Sequence, residues 1–130
     1  MPSIFTRIVQ GEIPCHKIAE DESYLAFLDI RPLAKGHTLV IPKLEVDYVF
    51  DLDDQTLGGL MVFAKPIAKA IEKTVECERI GVSVVGLEVP HAHVHLIPIQ
   101  TVSDMSFARQ PLQLSQDQLA ELAGAIRKNL

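Results

Sequence analysis

Ile4, Phe5, Ile8 and Val9 recur at helical spacing behind Ser3, a side chain suited to an N-cap, so the spacing predicts a short amphipathic helix reaching about Gln10. Gly11 then ends it. Lys17 to Glu20 and Ser23 to Leu28 read as a hairpin turning at Asp21-Glu22, and Thr38 to Ile41 as a third strand closed by Pro42. Leu57, Leu60, Met61, Ala64, Ile67, Ala68, Ile71 and Val75 keep a three-four spacing, which predicts a long helix with Asp51, Asp53 and Asp54 at its positive start and a bend at Pro66. Arg79 to Val85 and Val89 to Ile99 are two β-type runs separated by Gly86-Leu87-Glu88, which favours an antiparallel pair. Ser115 and Gln118 form a Ser-x-x-Gln capping box ahead of Leu119, Leu122, Ala123 and Ile126, the apolar stripe of a C-terminal helix. Strands and helices segregate, so the expected class is α+β: one domain over residues 1–130, with an antiparallel sheet of about five strands, a short N-terminal helix, a long central helix and a C-terminal helix.

The bulk numbers narrow the picture. A chain of 130 residues, 48% of them hydrophobic, can bury one real core. No stretch has the length of a membrane span, and Met1 to Phe5 lacks the basic start and apolar run of a signal peptide, so the expected compartment is the cytoplasm and no membrane partner is expected. Cys15 and Cys77 form no C-x-x-C pair, which suits a reducing compartment. A net charge of −5 opposes indiscriminate binding to nucleic acid, which relies on clustered Lys and Arg.

Chemistry concentrates in His91-Ala92-His93-Val94-His95. On a strand, alternate residues lie about 6.5–7 Å apart on one face, so three imidazoles could reach one small anion, while Ala92, Val94 and Leu96 form the apolar back. Three of the chain's five histidines fall in this run. Metal ligation and acid/base or nucleophilic work are the two functional readings; a solvated strand face is the bland one. The nearby metal donors are poor, since Glu88 has the wrong parity and neither cysteine sits beside another ligand.

The segment HAHVHLI fits the pattern H-x-H-x-H-x-x with apolar x. Ser3-Ile4-Phe5 before Gly11-Glu12-Ile13-Pro14, then Ala26 to Ile30, then Gly36-His37-Thr38 to Lys43, add three further blocks in order. Together they resemble the histidine triad (HIT) superfamily of nucleotide hydrolases and transferases, in its Hint-like branch. The resemblance implies that His93 is the nucleophile taking up a nucleoside monophosphate, with His91 and His95 flanking it and His95 the donor near the leaving group. It further implies a supporting hydrogen bond from His37, a ribose-binding carboxylate at Asp29, and a base pocket from Phe5, Ile8, Ile13, Phe27, Leu28 and Ile30. A homodimer is implied as well, to which adjacent Gly58-Gly59 in the long helix could contribute a close approach.

Departures from the family pattern matter as much. Where many Hint-like proteins have Gly-Gln-x-Val-x-His, this chain reads Gly86-Leu87-Glu88-Val89-Pro90-His91, and Leu87 cannot make an amide's hydrogen bonds to phosphate. Glu88 and Ser83 are the polar residues left as phosphate-side candidates. Ser3 and Thr6 stand where some relatives have a zinc-binding Cys-x-x-Cys, and Glu45 near where those have a histidine, so neither a structural zinc nor any other cofactor is expected. The expected activity is hydrolysis of purine nucleoside phosphoramidates at the α-phosphate through a nucleotidyl-His93 intermediate. Two alternatives stay open: a dinucleoside polyphosphate hydrolase or nucleotidyl transferase with the same nucleophile, and a nucleotide-binding regulatory module.

Overall fold

Each helix begins where a short polar side chain can take up a free backbone N–H. The computed structural model describes residues 1–130. Ser3 accepts from the Thr6 N–H to start α1 (Ile4–Val9), and Gly11, at a φ of 81°, turns the chain out of it. Asp21 accepts from the N–H groups of Ser23 and Tyr24, both at 2.8 Å, and so sets the turn between β1 (Lys17–Glu20) and β2 (Tyr24–Leu28). After β3 (Thr38–Pro42), Asp53 caps α2 (Asp54–Thr74). That helix runs unbroken through Pro66, whose exposed position leaves the unpaired carbonyl one turn back to solvent. β4 (Arg79–Ser83) and β5 (Val94–Ile99) follow, and the Ser115/Gln118 capping box opens α3 (Gln116–Lys128). Single 3₁₀ turns stand at Val49–Asp51 and Val102–Met105. No helix is long and apolar enough to cross a membrane.

The five strands make one antiparallel sheet in the order β1-β2-β3-β5-β4. Its two faces are packed differently. On one, Ile18, Ala26, Leu28, Val40, Val94 and Leu96 meet α2 and α3 in a cluster of 18 buried residues. On the other, Leu25, Phe27, Leu39 and Ile41 close with Phe5 of α1 in a cluster of 5. The period-two alternation along β2 and β3 sorts residues between these two cores.

Two sequence expectations need correction. β4 ends at Ser83 and β5 begins at Val94, so residues 84–93, expected to add strand on either side of a three-residue turn, form an irregular connection. The backbone there bonds elsewhere: His91 N–H to Val89 O, and Ala92 N–H to Val46 O at 2.7 Å. Of the adjacent Gly58-Gly59, read as a place for another subunit's helix, Gly59 is occupied from within, since an added Cβ would lie 2.1 Å from the Tyr24 hydroxyl, which donates to Thr56 O, while Gly58 has nothing within 4 Å.

Candidate active site

Although only His95 lies within regular strand, the in/out alternation survives through residues 91–96. Ala92, Val94 and Leu96 are buried in the helix-side core, which turns His93 and His95 to the opposite face. There His95 stands across from Leu39 on β3 and Ser83 on β4. The Phe5 ring meets His93 edge-on with centroids 5.0 Å apart, and Phe27 at 5.5 Å.

Hydrogen-bond partners fix which nitrogen of each ring carries the proton. The His93 Nδ1–H donates to the His91 carbonyl at 2.7 Å, so neutral His93 has its lone pair on Nε2. The Leu33 N–H donates to His37 Nδ1 at 3.0 Å, so neutral His37 carries its proton on Nε2 and gives it to His95 Nδ1 at 2.9 Å. His95 is thereby an Nε2–H donor. No buried side-chain nitrogen or oxygen lacks a partner, so His93 Nε2 and His95 Nε2, which bond nothing within the chain, open onto solvent. A bare ring nitrogen and an N–H donor thus lie side by side on one face of the sheet, their ring centroids 4.9 Å apart.

His91 is wired differently. Its Nε2–H donates to Pro42 O at 2.8 Å, and its Nδ1 accepts from the Ser3 hydroxyl at 2.8 Å. Thr6 donates its hydroxyl to Glu45 Oε1 at 2.6 Å, and the same oxygen accepts the Ser3 N–H. Both nitrogens of this buried ring are therefore spent, which takes His91 out of reach of a substrate and leaves its carbonyl as the group that orients His93.

Burial, with the neighbouring His95 and His93 adding to it, pushes His37 down to about 3. Burial and then His93 bring His95 to about 4, and burial lowers His91 as well. At neutral pH all three are uncharged, as the hydrogen-bond directions require. Asp29 is pushed up by burial, against the Arg31 N–H that its Oδ1 accepts at 2.9 Å. Its Oδ2 lies 3.6 Å from His37 Nε2; because His37 is neutral, this is proximity rather than an ion pair.

The other expected site residues are placed unevenly. Phe5 and Phe27 are in the cluster beneath the histidines, Ile8 packs against it, and Ile13 is half-buried outside it. Leu28 is on the wrong face for a base pocket, because strand parity sends it into the helix-side core. Ile30 follows the end of β2 and is 64% exposed, lining a shallow pocket with Arg31 and residues 110–114. Ser83 shares the face of His95 through its strand pairing, and exposed Glu88 is near enough to help raise Asp29. Phe107 was missed by sequence reasoning: it sets its ring edge-on to His95 at 4.7 Å. A lone aromatic in a polar tail gives no periodic signal that could have placed it.

A sequence model of the HIT domain matches residues 10–102. The chain belongs to the HIT family. It is 34% identical over 135 residues to an uncharacterized HIT-like protein of Borreliella burgdorferi, covering 98% of this chain and 97% of that one. It is 41% identical over 100 residues to the adenosine 5'-monophosphoramidase hnt1 of Schizosaccharomyces pombe, covering 75% and 74%. The crystal structure of a Hit-like protein from Bartonella henselae superposes with a TM-score of 0.86 at 33% identity, covering 98% of this chain and 96% of that one. In this HIT protein the histidine face is the side of the sheet away from α2 and α3.

Two places in this HIT chain gather potential metal donors, and neither fits a metal. Asp29, His37 and His95 offer ligand atoms within 4.8 Å of one another. Ligation through His37 Nε2 would move its proton to Nδ1, against the Leu33 N–H, and break the bond to His95. The Ser3, Thr6, Glu45 and His91 group offers two hydroxyls, a carboxylate and an imidazole already satisfied by one another, a set unlike the Cys and His shells of structural zinc.

Proposed function

We propose that the protein hydrolyses purine nucleoside phosphoramidates at the α-phosphate through a nucleotidyl-His93 intermediate. The observation that carries this reading is the pairing of a bare His93 Nε2 with a His95 Nε2–H on neighbouring rings of one sheet face. His93 attacks phosphorus, the phosphorus–nitrogen bond breaks, and the electron pair leaves on the amine nitrogen, which takes a proton from solvent while the His95 Nε2–H hydrogen-bonds the departing group and His95 keeps its own proton. Water then opens the adduct. Asp29 Oδ2 is the acceptor for the ribose hydroxyls, Phe5, Phe27 and Ile8 form the apolar side for the base, and Ser83 and Glu88 flank the phosphate. His91 acts as a positioning residue through its carbonyl. The 41% identity to a relative named as an adenosine 5'-monophosphoramidase supports the choice of leaving group.

Rapid quench with α-labelled adenosine phosphoramidate tests the mechanism. An acid-labile, alkali-stable adduct is expected on His93 in the burst. Label on another residue, or a burst without adduct, rejects it. Turnover of diadenosine polyphosphates but not of the phosphoramidate would favour the polyphosphate hydrolase reading instead.

The active unit in this reading is a homodimer. β4 is a sheet edge, paired on one side only, with Val82 exposed on it and Val84 and Val85 exposed just after it, and beside it lies an apolar groove of about 450 Å³ lined by Tyr48, Phe50, Met61 and Leu87 among others. A second copy would pair the edge and cover the groove together. Sedimentation at micromolar concentration should give the dimer mass, and a monomer mass would reject it.

A further inference from the structure

We infer that Phe107 forms a wall of a leaving-group subsite that favours leaving groups bearing an aromatic ring. This rests on the phosphoramidate reading above. Phe107 lies beyond the residues matched to the HIT domain, in a segment tied down on both sides. Before it, Asp104 Oδ2 accepts the N–H groups of Gln100 and Thr101 at 2.8 and 3.0 Å. Met105 packs onto Gly81 of β4 so closely that an added Cβ would lie 2.4 Å from its sulfur. After it, Arg109 reaches back to Asp104 Oδ1 at 3.2 Å, and the Leu112 N–H donates to Pro32 O at 2.8 Å. The chain therefore presents this ring on a fixed support.

The ring is edge-on to His95 at 4.7 Å and to His37 at 6.4 Å, yet it is 45% exposed and belongs to neither buried cluster. Packing accounts for half of it. This half-open ring stands beside His95, whose free Nε2–H is the donor for the departing group. Phe5 contacts the other end of the histidine row, at His91 and His93. The nucleoside and the leaving group lie on either side of the phosphorus under attack, so a base held at Phe5 leaves Phe107 to the group that departs. A flat ring a few bonds from the departing atom can stack on Phe107. That ring could belong to an aromatic amine or to the second nucleobase of a dinucleoside polyphosphate.

The test measures binding in the His93→Ala protein, which cannot turn over its ligands, with three probes: adenosine 5'-phenylethylphosphoramidate, the matched propyl compound and diadenosine triphosphate. The phenylethyl compound is expected to bind about three- to tenfold tighter than the propyl one. Adding Phe107→Ala should abolish that ratio, and Phe107→Leu, which keeps bulk but not the ring, should remove most of it. In the protein with His93 intact, Phe107→Ala should act as a rise in KM for the phenylethyl substrate with kcat little changed. A ring that only shields His95 would weaken propyl and phenylethyl compounds alike, and that outcome overturns the inference. So does a ratio of one before Phe107 is changed, unless diadenosine triphosphate alone loses affinity on Phe107→Ala, which assigns the subsite to a nucleobase. Because affinity is read without turnover, failure of the native protein to cleave either amidate would reject the hydrolase reading and leave the subsite to be judged by the ratio.

Discussion

The two faces of the sheet are held by different physics. The helix side is a continuous aliphatic cluster in which Leu60, Ile67 and Ile71 of α2 and Leu119 and Ile126 of α3 lie over Ala26, Val40 and Val94, and the buried Thr38 hydroxyl on that face is satisfied locally by Gly36 O at 2.9 Å. The histidine side has 5 buried apolar residues, and beside them sit His37, His91, His93 and His95, all buried. Each buried imidazole forces a specific partner to be present: Leu33 N–H, Pro42 O, Ser3 Oγ, His91 O. Aliphatic contacts tolerate small rearrangement; a hydrogen bond at 2.7 Å to a carbonyl does not. One face therefore supplies stability, and the other uses part of it to hold two nitrogens in defined protonation states.

Substitutions can separate these contributions. His93→Ala should abolish turnover while the thermal midpoint stays near that of the parent, since the aliphatic face is untouched; a variant that keeps activity would dissolve the distinction. Acid should act on the histidine face first. His37 and His95 have folded values of about 3 and about 4, below the unfolded value near 6.5, so the unfolded chain binds more protons between those limits. Their contribution is complete above about pH 6.5 and is lost as pH falls toward 4, by about 1.4 kcal/mol per unit for each proton taken up. Asp29, whose carboxyl is raised, opposes this slope. Urea titrations at intervals from pH 7.5 to 4.5 would measure it, and His37→Gln should flatten it.

On the helix side, Ile71→Ala should cost about 2–5 kcal/mol in the same titrations, with kcat of the folded fraction preserved. A large loss of kcat there would mean that the two faces are mechanically coupled. Asp29→Ala should weaken nucleoside binding by about 1.5–3 kcal/mol, read by calorimetry with AMP, with little effect on folding. Chelation should produce the smallest effect, none on rate or stability. Stoichiometric zinc by elemental analysis, with activity lost to chelator and restored by zinc, would overturn the exclusion of metal from the Ser3, Thr6, Glu45 and His91 group.

Legibility in the sequence followed the same division. The aliphatic face was readable because its contacts repeat: Leu57 to Val75 at helical spacing, Leu119 to Ile126 as a second stripe, Ser115 with Gln118 as a cap. The triad and His37 were readable from spacing and resemblance. What escaped depends on meetings between residues distant in the chain. Ala92 gives its N–H to Val46 instead of to a sheet neighbour, so the strand starts later than its β-type composition suggests. Ser3 meets His91 across a separation of 88 residues, so nothing near His91 reveals that its ring is occupied. Leu28 was assigned to the base pocket by motif position, although its parity with Ala26 already pointed to the opposite core.

The bond between Ser3 and His91 also makes the site sensitive to local opening. α1 has 6 residues, too few to be helical alone, and it is held by Phe5 in the small cluster and by the Ser3, Thr6 and Glu45 contacts. If it detaches, the wall beside His93 and the partner of His91 leave in one event, while the aliphatic core stays folded. Amide exchange in residues 4–9 should then report the fraction of molecules with an assembled site, and it should slow when a nucleotide is bound, long before exchange in α2 responds.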